Sequence, residues 1–334
     1  MSYSSQICKC GGILEVKYKN LAQIPNSKDF WDYEELLPKS NYKRLMLGGT
    51  RMIDSYEKNL MLKLELYNPT RSFKDRGSVI EVAKAKEYGY KTLAVASTGN
   101  MAYSLSYYSK IYKIKARVFI SRSAKSDKIY NILKTHDAVL HKVNGDFSKA
   151  QGEAALYASK NKVFLSGDYC YRKEGQKTLA YEIIAQCDDV SRIIVPVGNG
   201  TLISGMYKGL CELKAAGNIS KFPKLIAVQA EKCSPLAKAF NNGDEIVYEK
   251  PHTKADAIAV GMPTYGAQAI EAIRNTNGSV FTITEREMVK MQQKMYEEYG
   301  ILGELASSAA FAAYYKLNPS EGGKTVAVIS GGNV

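Results

Sequence analysis

The sequence predicts an α/β fold of two lobes, each a parallel sheet with helices on both faces. Three observations carry this. From residue 60 onward, short β-rich runs alternate with amphipathic helical stretches. The chain has 334 residues, which at roughly 100–200 residues per domain suits two domains. Seven strand candidates occur, and they do not sort obviously into one sheet. Strands that alternate with helices pair in parallel, because the crossover helix must cover a sheet face.

The strand candidates are residues 60–67, 92–96, 116–120, 138–143, 192–197, 224–229 and 325–329. Helical patterns fall between them at 75–88, 101–113, 125–135, 148–160, 174–187 and 202–216. A further helix over 284–299 carries Met288, Met291, Met295 and Tyr299 on one side, a stripe that reads as core packing. Residues 243–265 are poorly periodic and read as a long excursion near the mouth of a site. The division expected is a larger domain of residues 1–92 and 160–334, opening with a hairpin at 1–20, and a smaller mobile domain of 93–159. The smaller one is expected to close over the cleft and expel water.

Hydrophobic residues make up 45% of the chain and charged residues 24%, as in ordinary globular proteins. No apolar run approaches the roughly 18–20 residues of a membrane span. The first six residues, Met1-Ser2-Tyr3-Ser4-Ser5-Gln6, lack the basic-then-apolar pattern of a secretory signal. A cytoplasmic location is therefore expected. The net charge is +13, but the 46 Lys and Arg are interleaved with 33 acids. No basic block or nucleic-acid motif appears, so the charge reads as a surface that attracts anionic metabolites. Cys8 and Cys10 stand close together without the second pair that tetrahedral zinc requires. They read as free thiols, and no metal is expected. A homodimer is the default for a soluble oligomer.

Four strand ends carry the chemistry. In Asn68-Pro69-Thr70-Arg71-Ser72-Phe73-Lys74-Asp75-Arg76-Gly77, a strand gives way to a helix that starts near Lys74. That is the carboxyl end of a strand, where open α/β sheets bind ligands. The helix dipole opposes a cation there, so Lys74 calls for a nearby anion or conversion of its amine to an imine. Ser97-Thr98-Gly99-Asn100 follows the next strand and can cradle a carboxylate with N–H groups and hydroxyls. Val197-Gly198-Asn199-Gly200-Thr201-Leu202 joins a strand to a helix. Its glycines and helix start suit a phosphate, while the spacing of a dinucleotide site and the ending of a P-loop are both missing. Ser330-Gly331-Gly332-Asn333 closes the chain, with a hydroxyl at a strand end able to face a heteroaromatic nitrogen.

Taken in order, these motifs resemble the tryptophan-synthase-β-like family of pyridoxal 5′-phosphate (PLP) enzymes, fold type II, over residues 45–334. Within it, Ser72–Gly77, Glu174-Gly175-Gln176-Lys177-Thr178, Gly48-Gly49-Thr50 and the Cys8–Gly12 hairpin are similar to phrases of threonine synthases. The resemblance implies PLP in the cleft, held as a Schiff base on Lys74, which then shuttles protons. It implies that Asn100 meets the phenolic oxygen, that Gly198, Asn199, Gly200, Thr201 and Leu202 hold the phosphate, and that Ser330 meets the ring nitrogen. A hydroxyl there favours elimination and replacement over transamination. Ser97, Thr98, Gly99 and Arg172 are implied for the substrate, with Arg172 and Asn199 on its phosphate.

The implied reaction is that of threonine synthase, O-phosphohomoserine plus water to threonine plus phosphate. The alternatives are a serine/threonine dehydratase, a β-replacing sulfur-amino-acid synthase, or a catalytically silent PLP-binding paralogue. The chain departs from the threonine synthase pattern at Ser166-Gly167-Asp168-Tyr169-Cys170-Tyr171-Arg172. There the phosphate-gripping Asn-Ser-x-Asn-Pro-x-Arg keeps only its arginine, and Asp168 adds a negative charge.

Overall fold

A computed structural model describes residues 6–19, 23–97, 99–122, 138–145, 147–243, 245–317 and 322–332. The expected helix at 125–135, Thr98 and Asn333 lie outside the described residues.

The chain begins with a short hairpin in which Ile7 bridges Ile13 and the Cys8 N–H donates to the Gly12 carbonyl at 2.7 Å. After a 3₁₀ turn at Phe30–Leu36 come β1 (Met52–Asp54), β2 (Leu60–Leu64) and α1 (Lys74–Glu87). The next segment is β3 (Thr92–Ala96), α2 (Asn100–Tyr112), β4 (Lys115–Ser121), β5 (Val139–Val143), α3 (Phe147–Asn161) and β6 (Phe164–Leu165). It is followed by α4 (Cys170–Gln186), β7 (Val190–Pro196), α5 (Thr201–Ala215), β8 (Lys224–Ala230), α6 (Pro235–Asn242) and α7 (Gly266–Asn275). The last elements are β9 (Ser279–Ile283), α8 (Glu285–Tyr299), α9 (Leu305–Tyr314) and β10 (Lys324–Ile329).

These strands form two sheets. The larger runs β1-β2-β10-β7-β8-β9 and is parallel except for the β1–β2 pair. The smaller runs β5-β4-β3-β6 and is parallel throughout. All seven expected strands are present. The two-residue β6 extends the smaller sheet to Leu165, past the boundary expected at 159.

Local sequence explains the elements that position the site. β7 and β10 are buried on both faces through Ile193, Ile194, Val195, Val326, Ala327 and Val328, which is why they read as continuous apolar runs. Each of these isoleucines and valines stabilises the fold by about 1.5–3 kcal/mol. α8 has a capping box between Thr284 and Glu287, ends at Gly300 with φ 65°, and buries Met288, Met291 and Met295 as its stripe predicts. Residues 65–67 form a 3₁₀ turn instead of continuing β2, because Glu65 is buried and turned toward Arg76. Residues 245–265 hold only the 3₁₀ turn Asp256–Ile258 among regular elements, and this turn reaches the cleft.

The crossing of α1 and α4 decides where Lys74 sits. A Cβ on Gly175 would stand 1.9 Å from the Arg76 carbonyl oxygen, and one on Gly77 would stand 2.6 Å from the Arg172 Cγ. The two helices therefore approach backbone to backbone at these glycines, which accounts for glycine in both phrases, Asp75-Arg76-Gly77 and Glu174-Gly175-Gln176. Gly175→Ala forces the helices apart and is expected to cost about 3 kcal/mol or more, since a backbone atom cannot rotate away as a side chain can. Urea unfolding checks this, and an unchanged midpoint would contradict the tight crossing.

Candidate active site

The carboxyl ends of the central strands meet at one cavity of about 290 Å³. Its lining brings together Lys74, Ser97, Gly99, Asn100, Gly198, Asn199, Gly200, Thr201, Leu202 and Ser330. Four loops separated by up to 256 positions in sequence thus converge, as expected for ligand sites in open α/β sheets.

Lys74 is the first residue of α1. Its side chain is 18% exposed and its Nζ lies 3.9 Å from the Asp168 Oδ1 and 4.8 Å over the Phe73 ring. Burial pushes its ammonium below the usual lysine value, with Asp168 pulling it back and the Arg172 charge adding to the fall. A lysine so placed gives up its proton more readily than a solvated one, as a nucleophilic or basic amine requires. The next residue, Asp75, anchors the helix start. It accepts from the Thr70 N–H at 2.7 Å, from the Thr70 hydroxyl, and from Ser104 on α2 at 2.5 Å. Burial raises its carboxyl to about 6 against the pull of those donors.

The phosphate-type loop opens α5. Gly200 has φ +82° and a Cβ there would meet the Tyr265 carbonyl at 2.8 Å; one on Gly198 would meet the Ala257 carbonyl at 3.0 Å. The backbone thus lies flat against residues 257–265, with the first N–H groups of α5 free of intrahelical partners. The side chains of this loop are engaged elsewhere. Asn199 Nδ2 and Thr201 Oγ1 donate to the two Asp168 oxygens at 2.7 and 2.8 Å. Burial alone would raise the Asp168 pKa, but Lys74, Arg172 and these two donors outweigh it and hold the carboxyl below its ordinary range.

On the other wall, the Ser97 hydroxyl accepts from the Gly99 N–H at 3.3 Å, and Asn100 donates to Glu304 at 2.9 Å. Ser330 lies 3.3 Å from the Ser307 hydroxyl, and its carbonyl accepts from the Phe73 N–H at 3.0 Å. The end of β10 is thereby held beside the start of α1. Glu304 escaped the sequence reading. It is a lone acid before a helix of small residues, and no local pattern marks it as buried against Asn100.

One expected site residue does not face the cavity. Arg172 is fully buried: it pairs with Glu81, donates to the Gly167 carbonyl at 2.9 Å, and reaches the Lys74 carbonyl at 3.3 Å. Its guanidinium is engaged by these partners, and Arg172 is not among the residues that line the cavity. The signal that could have revealed this is Glu81 on the inner face of α1, seven residues after Lys74.

A family model for pyridoxal-phosphate dependent enzymes matches residues 44–331. The chain is 33% identical to the threonine synthase of Methanocaldococcus jannaschii over 93% of its own length and 82% of that protein. It is 34% identical to the threonine synthase of Methanosarcina acetivorans, over 92% and 81%. Among solved structures it is similar to maize serine racemase, with a TM-score of 0.76, 22% identity, and coverage of 85% and 88%.

The residues present fit the cofactor that this family carries. A primary amine faces the cavity, and a crowded glycine cradle at a helix N-terminus suits a phosphate. A buried amide, Asn100, and a strand-end hydroxyl, Ser330, line the same cavity and are of the chemical type that could partner ring substituents. With its family model spanning most of the chain and relatives above 30% identity matched over about four fifths of their length, the chain belongs to the pyridoxal-phosphate dependent enzymes.

Proposed function

We propose that this enzyme is a lyase acting on a small amino acid: Lys74 removes the α-proton, and a group then leaves the substrate side chain. The observation that carries this reading is the placement of Lys74, Asn100, the 198–202 backbone and Ser330 around one cavity. In the proposed assignment, the backbone of 198–202 holds the PLP phosphate, Asn100 and Ser330 orient the ring, and Ser97 and Gly99 receive the substrate carboxylate. Bound PLP supplies the electron sink that makes the α-proton acidic. The lowered proton affinity of Lys74 suits it to take that proton and pass it on.

Two leaving groups give this reading two forms. The similarity to threonine synthases over 93% and 92% of the chain supports loss of phosphate from O-phosphohomoserine, followed by addition of water to give threonine. The second form, loss of a hydroxyl from serine or threonine, is favoured by the Asp168 carboxylate in the cavity and by the pairing of Arg172 with Glu81. PLP-loaded protein is expected to act on at least one of these substrates, releasing phosphate with threonine in the first case or a 2-oxo acid with ammonia in the second. A loaded protein inert toward all of them would sink the lyase reading and favour a silent PLP-binding role.

A further inference from the structure

The question of which side chain the substrate brings is open to a physical reading, and this step rests on the lyase assignment above. The charged side chains among the described residues lining the cavity are Lys74, Asp168 and Asp256. Lys74 is the one cation of the three, and it is committed to the chemistry. A second phosphate dianion, on the substrate and beyond reach of the 198–202 backbone assigned to the cofactor, would therefore meet two carboxylates and no dedicated positive side chain.

Asp168 cannot swing aside easily. Asn199 and Thr201 hold its two oxygens at 2.7 and 2.8 Å, and Asn199 is itself braced by donation from Thr264 to its Oδ1 at 3.2 Å. Arg172, a further cation whose charge reaches Asp168, is buried against Glu81 and the Gly167 carbonyl. Asp168 and Asn199 also line a second, smaller space of about 20 Å³, together with Ser166. That is room for little more than one water-sized group. The Ser166 hydroxyl is 3% exposed and has no hydrogen-bond partner among the described residues.

We infer that Asp168 and the Ser166 hydroxyl form a leaving-group subsite that takes a hydroxyl and excludes a phosphate dianion. The side chain of a β-hydroxy amino acid donates its O–H to Asp168 and accepts from Ser166, which satisfies the orphaned hydroxyl. A dianion in the same place is repelled by a fixed carboxylate. In the reaction that follows, Lys74 takes the Cα proton and delivers it to the β-oxygen as the Cβ–O bond breaks, so water leaves. The resulting enamine tautomerises to the imine, takes up one water, and yields the 2-oxo acid and ammonia.

The test uses PLP-loaded protein and two readouts. Wild-type enzyme is expected to convert L-serine or L-threonine at a kcat/KM at least about tenfold above that for O-phosphohomoserine or O-phospho-L-serine. In Asp168→Asn, affinity for O-phospho-L-serine, followed by the change in the visible absorbance of the bound cofactor, is expected to rise about tenfold or more. A wild-type preference for the phosphorylated substrates, or an Asp168→Asn variant that binds them no better, would overturn the subsite. If wild type turns over no amino acid, the lyase reading fails, yet the affinity comparison still decides the role of Asp168. If the variant does not fold, the wild-type preference decides it.

Discussion

Replacing Lys74 with alanine is expected to lower turnover by at least about 10³-fold, a loss in the upper range for a positioned acid–base group and larger still where the same residue tethers the cofactor. The protein should nevertheless stay folded, with a stability change of less than about 2 kcal/mol. Exposure is not the reason, since the side chain is only 18% exposed. What makes the change tolerable is that opposing terms nearly cancel. The ammonium sits at the start of α1, where the helix dipole opposes it, and burial disfavours its charge. Its gains are a distant attraction to Asp168 at 3.9 Å and a contact with the Phe73 ring worth about 0.5–1 kcal/mol. Asp168 keeps its two donors, Asn199 and Thr201, when the lysine is gone. Steady-state rates with thermal unfolding of the same preparation check both halves. A variant that unfolds at ordinary temperature would mark Lys74 as structural, and one that keeps wild-type turnover would remove it from the chemistry.

Much of this architecture was legible because the chemistry lies at strand ends, and strand–loop–helix junctions leave strong local marks. Pro69 before Lys74, the glycines of 198–200 and the hydroxyl at Ser330 each announce a junction without knowledge of the rest of the fold. The three strands that were missed lacked such marks. β1 and β6 have three and two residues, too few for any period to show, and β9 is half-buried with no alternation. α9, Leu305–Tyr314, was missed for the opposite reason: it buries residues all round, so it has no polar face to reveal a helical stripe. Arg172 shows the limit for side chains. Sequence supplies the guanidinium, but its partner Glu81 lies 91 positions earlier. Only the close crossing of α1 and α4 brings the two together. The same holds for Asp168, whose charge is plain in the sequence while its donors sit more than 30 positions later.

Arg76→Ala is expected to destabilise the protein by about 3–5 kcal/mol, because it strips the centre from a buried ionic cluster. Arg76 is fully buried and donates to Glu65 at 2.6 and 2.8 Å and to Glu182 at 2.6 and 2.7 Å. Lys63 completes the group, reaching Glu182 at 2.9 Å and the Thr50 carbonyl at 2.7 Å. Two cations thus balance two carboxylates, and the backbone of Gly49 and the hydroxyl of Thr50 fill the remaining acceptor positions. Gly48-Gly49-Thr50, Asp75-Arg76-Gly77 and the helix that carries Glu174-Gly175-Gln176 thus meet at one cluster. In the variant, Lys63 alone faces two buried carboxylates. The pH dependence then changes sign. In wild type, burial would raise the Glu182 pKa, but Arg76 and Lys63 outweigh it and bring it to about 2. Its stabilising contribution is therefore complete above the unfolded value near 4.5 and is lost only as pH falls from there through about 2. Without Arg76, burial dominates and the folded pKa rises above the unfolded one. The folded chain then holds the extra proton, and its stability declines as pH rises from about 4.5 toward neutrality. Urea unfolding at pH 5 and pH 7 separates the two cases: wild type should be at least as stable at pH 7, and the variant distinctly weaker there than at pH 5. Equal midpoints for wild type and variant at both values would mean that the cluster contributes nothing to the fold.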